Sequence, residues 1–187
     1  MAKLYKAFFG WFLLFLLLCS GVFIFHTRWD NQSPKEYRDL IFRYSLEYDL
    51  DPYLVQAVIR TESNFDPRAR SNADAVGLMQ ITQETLNWAT MREGKNQTFN
   101  EEDLYEPEIN VRYGCLILSL LSQEFKDSNT VLAAYNAGRG NVLKWLKDSR
   151  YSTDGKVLRK TPFEETNQYI KRVKKHYNHY KKTGEES

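Results

Sequence analysis

From residue 34 to residue 182 the apolar side chains recur at three- and four-residue intervals, and no stretch shows sustained strand alternation. That rhythm restricts the chain to an all-α fold. Tyr37, Leu40, Ile41, Tyr44 and Tyr48 mark a first helix over 34–48, and 52–62 reads as a second. Further helices are expected over 78–91, 107–125, 130–137, 141–147 and 162–182, with polar loops at 93–100 and 150–160. Within 107–125, Val111, Leu118 and Leu121 form the buried stripe, and Gly114 allows close packing. Gly138 stops the helix before it.

The second helix carries the chemistry. Asp51 followed by Pro52 is an N-cap with proline at the first helical position. Val55, Val58, Ile59 and Glu62 then share one face. Glu62 therefore extends a buried stripe at a helix C-terminus. Burial disfavours its charged form, and the negative end of the helix dipole acts the same way. Both keep a proton on the carboxyl near neutral pH, as a general acid needs. Read alone, such a glutamate is more often a core-rim residue paired with Arg60 or Arg68.

The residues that follow change that balance. Glu62-Ser63, Phe65, Asp66-Pro67, Ala69-Arg70-Ser71 and Gly77-Leu78-Met79-Gln80 form one motif. Ala134-Tyr135-Asn136-Ala137-Gly138 forms a second, and Pro162-Phe163-Glu164-Glu165-Thr166-Asn167-Gln168-Tyr169-Ile170 a third. Together they resemble the soluble-type lytic transglycosylases, lysozyme-like enzymes that cut bacterial peptidoglycan, in the family's order and spacing over roughly residues 36–180. Three departures stand out. Asp74 occupies a usual glycine, Thr82-Gln83 replace an apolar residue and proline, and Asn167 replaces an arginine. Asp74 reads as a turn residue tolerating a glycine-like backbone, or as a second carboxylate that would hold water for hydrolysis.

The resemblance implies a lysozyme-like domain in which one glutamate performs both proton transfers. Glu62 would protonate the oxygen between N-acetylmuramic acid and N-acetylglucosamine, then take the proton of the muramic acid's own 6-hydroxyl as a 1,6-anhydro ring closes. An intramolecular hydroxyl is already at high effective concentration, so no second acid need position water. Tyr135 is expected beside Glu62, bonding its carboxyl or the substrate's N-acetyl group, and Glu165 behind the site as support. Ser71, Gln80, Asn136 and Tyr169 form the substrate-binding set. Their alternative reading is loop bracing and helix capping. Met79 is counted with them by its place in the motif, although an apolar side chain there reads first as core packing.

The N-terminal region reads differently. Lys3 and Lys6 precede an uncharged run from Phe8 to Phe25, eighteen residues and just long enough to span a bilayer. We expect residues 1–27 to be a cytoplasmic tail and signal-anchor, 28–35 a linker, 36–182 the catalytic domain and 183–187 a tail. The domain would lie on the wall side of the cell membrane. The rival is a cleaved signal peptide and a secreted protein, since the run up to Leu18 has signal-peptide length.

Charge excludes some partners. Lysines and arginines number 26 and acids 24, so a nucleic-acid partner is not indicated. Lys171, Arg172, Lys174, Lys175, Lys181 and Lys182 crowd the last helix, a solvated face or a contact for anionic wall polymer or lipid. His176 and His179 lack companion ligands, so neither metal nor cofactor is expected. Cys19 lies in the apolar run and Cys115 in an apolar helix, which makes no disulfide pair. Glycan strands are the expected partner, with wall-synthesis, sporulation or secretion machinery open. A related hydrolase (muramidase or chitinase) and a non-catalytic wall-binding module remain as alternative functions.

Overall fold

A computed structural model describes residues 34–94 and 99–185. The expected N-terminal anchor, its signal-peptide alternative and most of the linker lie outside these residues. Among the described residues seven α-helices follow in order: α1 Lys35–Glu47, α2 Pro52–Glu62, α3 Gln83–Glu93, α4 Pro107–Glu124, α5 Ser128–Ala137, α6 Arg139–Leu146 and α7 Glu164–Glu185. A single 3-10 turn, Glu102–Tyr105, precedes α4. Among the described residues there is no strand, only isolated bridges joining Arg70 to Val76 and Val76 to Ile81. Also among them, no helix is long and apolar enough to cross a membrane.

α4 is the axis of the fold. Ten of its residues are buried, on more than one face, and a helix apolar all round belongs in the middle of a domain. α1, α3 and α5 lie against it. Gly114 is where α4 meets the loop after α2: a Cβ there would fall 2.2 Å from the Met79 sulfur. The close packing expected of Gly114 is therefore present, and Met79 is its partner. α2 and α7 form the most extensive pairing. They run antiparallel. The Tyr177 hydroxyl donates to Asp51 at 2.8 Å, and the Tyr53 ring occupies the space over Gly184.

Local sequence explains most helix ends. The Asp51 side chain accepts from the Tyr53 amide with Pro52 at the first position, as expected. Asp127 caps α5 in the same way through the Thr130 amide, so α5 starts two residues earlier than its apolar pattern shows. Gly138, at φ 89°, separates α5 from α6 with no linker, so α6 begins at Arg139 and not at 141. The largest difference concerns 78–91. Helix does not resume at Leu78 but at Gln83. Gln80 sits at φ 50°, outside helical space, and the Thr82 side chain caps α3 by accepting from the Thr85 amide.

Candidate active site

Glu62 is the last residue of α2, and the chain turns sharply after it. Asn64, Phe65, Asp74 and Gln80 have φ values of 55°, 66°, 56° and 50°, and Gly77 has 80°. Left-handed backbone at non-glycine residues costs energy and survives only where surrounding contacts enforce it. Those contacts are present. Ser63 donates its hydroxyl to the Leu78 carbonyl at 2.8 Å, tying the end of α2 to the far side of the loop. Phe65 stacks on Tyr37 of α1, ring centroids 6.5 Å apart. The Val76 and Ile81 amides each donate to the other residue's carbonyl at 3.1 Å.

A residue that the sequence reading missed holds the loop to α4. Asn110 is fully buried. Its side-chain nitrogen donates to the Val76 and Leu104 carbonyls at 2.9 and 2.7 Å, and its oxygen accepts from the Met79 amide at 2.7 Å. One asparagine thus satisfies three buried backbone groups. Gly77 lies directly over it: a Cβ would fall 2.1 Å from the Asn110 nitrogen and 2.5 Å from the Leu104 carbonyl oxygen. The signal was an asparagine inside an otherwise apolar helical pattern, one turn before Gly114.

Glu62 is part-buried, enclosed enough to be perturbed and open enough to be reached. Burial pushes its carboxyl up to about 7, against opposing pulls from Tyr169 and Arg172 of α7. Tyr169 is fully buried; its hydroxyl faces Glu62 but closes no hydrogen bond of normal geometry. The hydroxyl is thus near the carboxyl, close enough to pull on it, yet unpaired. Tyr135 approaches from α5. Burial and the Glu62 charge raise its phenol well above the usual range. Its hydroxyl, however, donates to the Met79 carbonyl at 2.9 Å. Tyr135 is thus near Glu62, as expected, but its hydroxyl proton goes to the loop carbonyl and not to the carboxyl, and Tyr169 approaches the same carboxyl from α7.

The other expected site residues divide. The Ser71 hydroxyl accepts from the Ala73 and Ala75 amides at 3.2 and 3.1 Å, bracing its own turn. Gln80 donates its amide nitrogen to the Ala69 and Gly77 carbonyls, both at 3.1 Å, which leaves its carbonyl oxygen to face outward groups. Asn136 is half-buried inside α5 beside Tyr135, not at a helix start. Met79 has no exposed surface, so its side chain is core and only its backbone serves the site. Glu165, expected behind the site as support, is an exposed residue of the first turn of α7. Asp74 is exposed as well, paired with Arg70 at 2.7 Å; Arg70 also binds Glu101. Asn167, in place of the usual arginine, exchanges hydrogen bonds with Thr161 and fixes the approach to α7.

A recess of about 330 Å³ opens on the Tyr135 side, walled by Glu84, Thr85 and Trp88 of α3, Ile117 of α4 and Arg139 of α6. Glu62 is not on its wall. The recess adjoins the site and does not define it.

Known proteins are similar to this chain in sequence and fold. The family described as the transglycosylase SLT domain matches residues 39–157. The soluble lytic murein transglycosylase of Salmonella typhimurium is 33% identical over 150 residues, 78% of this chain and 23% of that protein. The membrane-bound lytic murein transglycosylase C of Shigella sonnei is 30% identical over 141 residues, 71% of this chain and 39% of that one. The chain thus spans well under half the length of these relatives. Among solved structures, an inactive mutant of the lytic transglycosylase Slt from Pseudomonas aeruginosa superposes with a TM-score of 0.67 at 30% identity, over 81% of this chain and 25% of that one. The 70 kDa soluble lytic transglycosylase of Escherichia coli gives 0.68 at 29%, over 79% and 24%. A family match across most of the helical domain, and the same fold at about 30% identity, place this chain in the transglycosylase SLT domain family.

Proposed function

We propose that this protein is a peptidoglycan lytic transglycosylase with Glu62 as its single acid and base. The observation that carries the reading is the state of that carboxyl. Burial at the end of α2 pushes it up to about 7, so it keeps its proton near neutrality. A glycosidase that activates water or forms a covalent sugar needs a second carboxylate across the bond. Of the two carboxylates on the loop, Asp74 is exposed and engaged by Arg70, and Asp66 is exposed and accepts from the Arg68 amide.

The steps follow from this. Protonated Glu62 gives its proton to the oxygen linking N-acetylmuramic acid to N-acetylglucosamine. The bond from that oxygen to the anomeric carbon breaks, and the N-acetylglucosamine side leaves as an alcohol. Positive charge develops on the muramic ring. The Glu62 carboxylate then removes the proton of the ring's own 6-hydroxyl, and that oxygen bonds the anomeric carbon. Glu62 ends protonated again, and no water is consumed. The relatives, murein transglycosylases both membrane-bound and soluble by name, support this substrate. Gln80, Asn136 and Ser71 border the path as groups suited to amides and hydroxyls.

Residues 1–27 are read as a single membrane anchor that places the domain on the wall side, the alternative being a cleaved leader. The mass of the mature protein separates these. The activity test is mass spectrometry of peptidoglycan digested by the protein and by Glu62→Gln. Anhydromuramic ends from the first and none from the second are expected. Reducing ends would replace the reading with a hydrolase, and binding without cleavage would replace it with a wall-binding module.

A further inference from the structure

The last helix presents a row of cations that the cleavage chemistry does not use. Thr166, Tyr169 and Val173, all buried, mark the inner face of α7, and α2 with Glu62 pairs with the helix on that side. Lys171, Lys174, Lys175, Lys181 and Lys182 fall at i, i+3, i+4, i+10 and i+11, on the outer face, and all five are exposed. Eleven residues separate the first from the last, roughly 16 Å of helix. No acid occurs between Glu165 and Glu185, so the row lacks the acid–lysine pairs one turn apart that support a solvated helix face. Lys171 instead has like charges three and four residues on, which disfavours the helix. Among the described residues none of the five lysines forms an ion pair.

The row continues past the helix. At its N-terminal end lies a recess of about 310 Å³, walled by Lys171, by Arg159 and Lys160 of the loop before α7, and by half-buried Asn129 of α5. The one acid on its wall, Glu164, accepts from Gln168. Three elements thus bring cations and an amide to one concave surface, and the lysines lead away from it along α7.

We propose that the recess and the row form a binding track for a linear polyanion of the wall, a polyol-phosphate chain, with one phosphodiester in the recess and the next ones along the lysines. Cations in line suit a chain that carries a charge at every repeat, because successive phosphates each meet a partner; an isolated stem-peptide carboxylate meets one. A flat anionic bilayer fits less well. Helices that lie on bilayers bury large apolar side chains beside their lysines. The exposed large apolar residues here are Phe42, Leu46, Met91, Val157 and Phe163, and none is on α7. Since the row faces away from α2, a bound polymer leaves the cleavage site open and holds the domain beside its substrate.

The proposal rests on the wall being where the protein works and not on the Glu62 chemistry, so binding is measured apart from cleavage. Full-length Glu62→Gln in detergent is sedimented with wall fragments that carry a polyol-phosphate chain. It is also sedimented with the same fragments freed of that chain by hydrofluoric acid, which cuts phosphodiesters. A triple variant in that background, Lys171→Gln with Lys174→Gln and Lys175→Gln, and the matching lysine-to-arginine triple are treated alike. Polymer-bearing fragments should bind more tightly than stripped ones, and the advantage should shrink as salt screens the charges. The glutamine triple should bind the bearing fragments about tenfold more weakly, and the arginine triple should bind like the parent. Should the glutamine triple fold poorly, Arg159→Gln with Lys160→Gln, outside any helix, should show the same loss. Equal binding to bearing and stripped fragments overturns the proposal and assigns the contact to glycan or stem peptide. So does a loss in the glutamine triple seen with phosphatidylglycerol vesicles but not with free poly(glycerol phosphate), which assigns the face to the membrane. Failure of the cleavage reading would show separately, as a digest by the unsubstituted protein that lacks anhydro ends.

Discussion

Replacing Glu62 by glutamine should stabilise the protein, and only at the pH where the carboxyl is charged. The folded carboxyl titrates at about 7, against 4.5 without the fold. Between those values the folded protein holds a proton that the unfolded chain has released. Stability therefore falls as pH rises through that window and stays lower above it. A tenfold difference in proton affinity between folded and unfolded chain is worth about 1.36 kcal/mol, so the penalty above neutrality is about 3 kcal/mol. Below pH 4.5 both states are protonated and the penalty vanishes. Glutamine carries no charge at any pH and escapes it. For a domain of this size 1 kcal/mol moves the Tm by about 2–4 °C. Thermal melts followed by circular dichroism at about pH 4 and about pH 8 should thus show near-equal Tm values at the acid end. At the alkaline end the glutamine variant should lead by roughly 6–12 °C. A gap that does not change with pH would refute the reasoning. So would a parent that gains on the variant at the alkaline end, because the charged carboxyl would then be stabilised by its neighbours more than burial opposes it.

Three further outcomes follow from the loop. Asn110→Ala strands the Met79 amide and the Val76 and Leu104 carbonyls. It should lower stability by roughly 3 kcal/mol in a denaturant titration, each buried orphan costing about 1–3 kcal/mol before relaxation. Gly77→Ala meets both a φ of 80° and a contact against the Leu104 backbone, so it should express poorly or melt well below Gly114→Ala, whose intruded neighbour is the flexible Met79 side chain. Asp74→Ala should keep anhydro ends as product and lose less than about threefold in rate, since exposed ion pairs contribute about 0–1 kcal/mol; reducing ends found in the parent and lost in this variant would restore Asp74 as a water-holding base.

What the sequence made legible was whatever a helix imposes on its own residues. Asp51-Pro52, the stripe ending at Glu62, and the Gly114 contact all follow from 3.6-residue geometry and capping chemistry, and each is present. The three motifs likewise lead to the family that the comparisons show. Errors arose where distant chain segments decide. Gln80 is not helical because its amide braces the carbonyls of Ala69 and Gly77 across a loop, which no local propensity encodes. The motifs place Tyr135 beside Glu62 and count Tyr169 with the substrate-binding residues. Only the placement of α5 and α7 reveals that one hydroxyl turns to the Met79 carbonyl and leaves the acid to the other.

Asp74 is a departure from the family pattern that the loop accommodates at the surface. Its φ of 56° is the conformation a glycine would adopt freely, and for aspartate it costs of order 1 kcal/mol. The carboxylate pairs with Arg70, which the same contact network ties to Glu101 and the segment before α4. A carboxylate so engaged at the surface is not facing the anomeric carbon, and a water without a base beside it is a poor nucleophile. The 6-hydroxyl of the bound sugar needs no such help, because ring geometry already brings it to the carbon it attacks. Under the proposed mechanism, the exchange that adds an acid to the loop therefore leaves the intramolecular route intact.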